Sequence, residues 1–68
     1  MTIILNGERR EVPDRATVAD LISDLGRDPR RPGAAVAVNG VTVTRGQWSS
    51  TTLEEGDRVE VLGAAQGG

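Results

Sequence analysis

Hydrophobic positions come in short bursts broken by Asn-Gly pairs, with one stretch of helical period between them. The first burst runs from Thr2 to Leu5 and meets Asn6–Gly7, the strongest hairpin signal in a sequence. A weakly alternating return strand, Glu8 to Val12, closes at Pro13. In "TVADLISDLG", Val18, Leu21, Ile22 and Leu25 follow the i, i+3, i+4, i+7 spacing of one helix face. Thr17 is the N-cap, Asp20 closes a capping box, and Gly26 stands where a left-handed C-terminal cap belongs. "AAVAVNGVTV" predicts a second hairpin, Ala34–Val38 and Val41–Val43 around Asn39–Gly40. A short helical turn ending at Trp48, a turn over Leu53–Asp57 pivoting on Gly56 and a last strand, Arg58 to Leu62, complete the order.

Two hairpins flanking one helix predict an α+β domain, with the helix covering one face of a four- or five-stranded sheet. The first and last strands are too far apart in sequence for a hairpin, so as neighbours they run parallel with the helix in the crossover. This is a β-grasp arrangement with a mixed sheet. The expected core is Ile3, Leu5, Val12, Val18, Leu21, Ile22, Leu25, Val36, Val38, Leu53, Val59 and Val61. The lone tryptophan, Trp48, reads as a core plug or lid rather than a ligand platform. Alternation turns Ile4 and Leu62 to the opposite sheet face, where they would form an apolar patch for partner docking.

Composition then removes function classes. The 68 residues make one domain near the lower size limit for folding without a disulfide or metal. A net charge of −2 argues against nucleic acid, and no stretch nears the roughly 18 apolar residues of a membrane span. The expected compartment is the cytoplasm. There is no Cys or His, and the eight basic residues are all arginine. The chain thus lacks a thiol nucleophile, an imidazole base, a Schiff-base lysine and zinc ligands beyond carboxylates. Ser23, Ser49 and Ser50 have no base to activate them, and Asp20, Asp24, Glu54 and Glu55 read as solvated faces. No catalytic or metal-ligating residue is assigned, and an enzyme is not expected. "RDPRRPG" (27–33) carries three arginines without aromatic residues or a glycine cradle, and reads as a solvated loop.

The sequence ends "AAQGG" directly after the last strand. Residues 1–63 are expected to form the domain and residues 64–68 a flexible tail, because nothing after Leu62 can bury a large side chain. "AVAVNG" (Ala35 to Gly40), Arg45, Trp48, "LEEGDRVEV" (Leu53 to Val61) and the terminal Gly67–Gly68 together resemble the ThiS family of thiamine-biosynthesis sulfur carriers, essentially end to end. The resemblance implies a ubiquitin-like β-grasp fold and a carrier role, with no bound cofactor. It implies that an E1-like (ThiF-like) adenylyltransferase uses ATP to convert the Gly68 carboxylate to an acyl-adenylate. A sulfur donor protein then yields a thiocarboxylate, which a ThiG-like thiazole synthase consumes. Independently, a chain without cysteine can carry sulfur only on its C-terminal carbonyl carbon, and glycine at 67 and 68 suits a narrow tunnel. Relatives of this fold serve molybdopterin or cysteine synthesis. A ubiquitin-like protein modifier and a plain binding module are the other readings to be tested.

Overall fold

The computed structural model describes residues 1–28 and 33–63. Strands β1 (Thr2–Leu5), β2 (Glu8–Glu11), β3 (Ala34–Val38), β4 (Val41–Val43) and β5 (Arg58–Gly63) form a five-stranded sheet ordered β2-β1-β5-β3-β4. The helix α1 spans Val18–Asp24, and a 3₁₀ helix covers Arg45–Ser50. Strands β1 and β5 are central neighbours and parallel, while β1/β2, β3/β4 and β3/β5 are antiparallel. This is the mixed sheet expected from the element order.

Both hairpins turn on Asn-Gly with φ positive at each residue: 50° and 85° at Asn6–Gly7, 52° and 84° at Asn39–Gly40. That is the mirror-image turn whose twist matches paired strands. The two asparagines also reach a third strand. The Asn6 side chain donates to the Val61 carbonyl at 3.3 Å and accepts from the Val61 amide at 2.9 Å. It thereby extends the β1/β5 ladder past the point where β1 turns away. At the sheet's other end the Asn39 side chain accepts from the Arg58 amide at 2.9 Å and donates to Asp57 at 3.0 Å. Strand β5 is held at both ends by turn side chains.

Helix α1 has the complete capping box: Thr17 Oγ1 accepts from the Asp20 amide at 3.1 Å, and the Asp20 carboxylate accepts from the Thr17 amide at 2.9 Å. It ends in a Schellman motif. The Gly26 amide (φ 82°) donates to Ser23 O at 2.9 Å and the Arg27 amide to Ile22 O at 3.1 Å. The segments flanking the helices are tied together, Val18 N–H to Thr51 O and Leu53 N–H to Ala16 O. The core lies between the sheet and these helices and is formed by Ile3, Val12, Ala16, Val18, Leu21, Ile22, Val36, Trp48, Leu53, Val59 and Val61. Leu5, Leu25 and Val38, expected inside, are half-buried at its margin. Ala16 joins the core through its bridge to Leu53. Trp48 is a core plug, its indole N–H donating to Val43 O at 2.9 Å. Three boundaries differ from expectation: β2 ends at Glu11 rather than Val12, the 3₁₀ helix continues past Trp48 to Ser50, and β5 includes Gly63.

Candidate functional site

One face of the sheet is covered by α1 and the 3₁₀ helix; the strand registers define what stands on the other. Ile4 pairs with Arg9 on β2 and Arg58 on β5, and Leu62 with Ala35 on β3. Side chains of paired residues share a face, so this open face presents Thr2, Ile4, Arg9, Arg58, Glu60, Leu62, Ala35 and Ala37. Leu62 is 69% exposed, one of two large hydrophobics left in solvent among the described residues; the other is Val41 on the β4 edge. Ile4 is half-buried, with an arginine as its cross-strand partner on either side. Ile4 and Leu62 therefore share a face, as the alternation predicts. The register sets Ile4 opposite Arg58, four positions before Leu62, so the two are about 13 Å apart along the sheet. The immediate surroundings of Leu62 are Ala35 and Glu60, with Ile4 as a separate, outlying apolar point.

The end of β5 is the second element of the site. A shallow depression of about 590 Å³ lies there, lined by Asn6, Arg27, Ala35, Leu62 and Gly63 among others. Arg27 reaches it because the Schellman motif fixes its backbone at the helix end. The guanidinium lies against Gly63 so closely that a side chain there would overlap it, with Cζ only 2.6 Å from the position a Cβ would take. The sequence reading placed Arg27 in a solvated loop. In the structure it is half-buried at the root of the tail, a long-range contact with no local sequence signal. Gly67, Gly68, Arg30 and Arg31 lie outside the described residues. Among the described residues no cluster of three or more metal-ligating side chains occurs, and no helix is long and apolar enough to cross a membrane.

A five-stranded mixed sheet with parallel central strands and one main helix across one face defines a ubiquitin-like β-grasp fold. The ThiS family model matches residues 3–68. Over 68 residues the chain is 32% identical to the sulfur carrier protein ThiS of Escherichia coli K12, covering all of both chains. It is 31% identical to part of a thiazole synthase from Paramagnetospirillum magneticum, covering all of this chain and 20% of that protein. A crystal structure of the thiamine biosynthesis protein ThiS from Geobacter metallireducens superposes with a TM-score of 0.81 at 30% identity, with both chains fully covered. A solution structure of a thiamine biosynthesis protein from the same organism gives 0.80 at the same identity, covering 88% of that chain. The chain belongs to the ThiS family, the sulfur carriers of thiamine biosynthesis.

Proposed function

We propose that Gly68 is the sulfur-bearing residue and that the chain acts as a substrate for partner enzymes in the cytoplasm. The observation that carries this reading is the family match running from Ile3 through Gly68, together with the absence of cysteine from the whole sequence. A carboxylate is a poor electrophile. ATP supplies the leaving group: a Gly68 carboxylate oxygen attacks the α-phosphorus, pyrophosphate departs, and an acyl-adenylate forms on an E1-like enzyme. Sulfide delivered by a donor protein then attacks the carbonyl carbon, the C–O bond to AMP breaks and a proton is lost, which yields the thiocarboxylate. The carrier contributes an address and a handle, and the catalytic groups belong to its partners. Residues 1–63 are the address and residues 64–68 the handle. Five extended residues reach about 17 Å, with Gly67 offering no Cβ to a narrow passage.

Thiazole synthase is the proposed sulfur acceptor. Support comes from the thiazole synthase of Paramagnetospirillum magneticum, a fifth of whose length is similar to this entire chain. The proposed dock is the open sheet face centred on Leu62 and Ala35, with Ile4 at its margin. An exposed leucine beside the tail root gives a partner apolar area to bury, which offsets the cost of ordering the tail. Leu62→Asp should raise the KM for adenylation at least tenfold while leaving the unfolding midpoint within experimental error. Adenylation of that variant at the parental rate would rule out Leu62 as the dock.

A further inference from the structure

Gly63 differs from the turn glycines. Gly7, Gly26, Gly40 and Gly56 all have positive φ and open space where a Cβ would sit. Gly63 has no positive φ to require glycine, yet the Arg27 guanidinium fills the place of its side chain. Glycine is disfavoured in strands, and here it is the last residue of β5, paired with Ala34. Two independent features bring Arg27 to it: the Schellman bond to Ile22 O, which fixes the Arg27 backbone, and the β3/β5 register, which fixes Gly63.

The peptide geometry explains why this spot needs support. Along β5, the backbone groups of Asp57, Val59 and Val61 face β1, accepting from Ile4, Asn6 and the Asn6 side chain in turn. The alternation turns the Gly63 peptide to the same side, two residues beyond the last bond that β1 and Asn6 supply. On that side β1 has already left the sheet at the Asn6–Gly7 turn. Arg27 lies over this end of the strand, its guanidinium at the place a Gly63 side chain would take.

We infer that Arg27 and Gly63 form a matched pair that fixes the direction in which the chain leaves β5, making Arg27 a positioning residue for presentation of the C-terminus. The inference rests on the carrier reading above. A planar guanidinium seated on a bare Cα removes conformers from the exit peptide before any partner binds. A Cβ at 63 unseats it. Because the guanidinium is the end of a flexible side chain, it can swing aside, so the fold tolerates the change while the exit loses its guide. Ordering one further backbone residue on docking then weakens binding by about tenfold.

The test uses the full chain and its adenylating enzyme with ATP. Gly63→Ala and Arg27→Ala should each raise the KM for the carrier about tenfold with kcat within twofold and the unfolding midpoint unchanged. The double variant should be no worse than Arg27→Ala alone, since the guanidinium that a Cβ at 63 would displace is already gone. Parental KM in either variant, or losses that multiply in the double variant, would overturn the pairing. A second measurement needs no partner: the backbone order parameter of Gly63 should fall in the Arg27→Ala variant while that of Val59 stays constant. An unchanged Gly63 value overturns the inference on its own. Should the unsubstituted chain not be adenylated, the carrier reading fails instead, and the order parameter still decides the pair.

Discussion

Asn6 shows how much one residue does in this fold. Its backbone takes φ 50°, which asparagine tolerates better than most residues, and its side chain forms two hydrogen bonds to Val61 across 55 positions of sequence. Asn6→Gly keeps the turn conformation and deletes only those bonds. It should cost about 2 kcal/mol, because a part-buried N–H and C=O lose their partners together. Urea unfolding at unchanged m-value measures it; a midpoint equal to the parent would mean the bonds contribute nothing. The turn itself was legible, since Asn-Gly between apolar runs carries that signal locally. The bond to Val61 was not, because it depends on which strand lies beside the hairpin. Arg27 is the same case: "RDPRRPG" reads as a polar loop, and only the assembled sheet brings Gly63 under the guanidinium.

Among the elements, α1 was the most legible, because cap, period and terminator agree within ten residues. With only seven residues it has little intrinsic stability, so its capping box matters. Thr17→Ala should destabilise the domain by about 1 kcal/mol, read from the shift in denaturation midpoint. A shift near zero would show that the bridges from Val18 to Thr51 and from Ala16 to Leu53 hold the helix start unaided. The strands were legible in place and direction, since a helix between the first and last strands favours their parallel pairing. Their ends were less so. Glycine weakens a strand signal, so the pattern predicts β5 only to Leu62, yet the register with Ala34 carries it through Gly63. Likewise Ala16 gives no apolar signal of its own and enters the core through a backbone bridge.

At the scale of the molecule, an aliphatic core with a single aromatic plug supports an open sheet face on which Leu62, near the end of β5, stands exposed. The carrier class was legible from the motifs Ala35–Gly40, Arg45, Trp48 and Leu53–Val61, which resemble the ThiS family whose model matches residues 3–68. The expected Ile4–Leu62 patch was legible as a shared face but not as a distance, because alternation gives the side of the sheet and only register gives the spacing. Deleting Gly68 should abolish sulfur loading without shifting the unfolding midpoint; loading that survives the deletion would place the sulfur elsewhere.

Whether sulfur resides on Gly68 is read directly by intact mass spectrometry. The full chain is incubated with its activating enzyme, ATP and a sulfide source, then weighed whole and fragmented from the C-terminus. The expected result is replacement of one oxygen by sulfur, confined to Gly68 and dependent on ATP. An unchanged mass under conditions that consume ATP, or sulfur on any other residue, would contradict it.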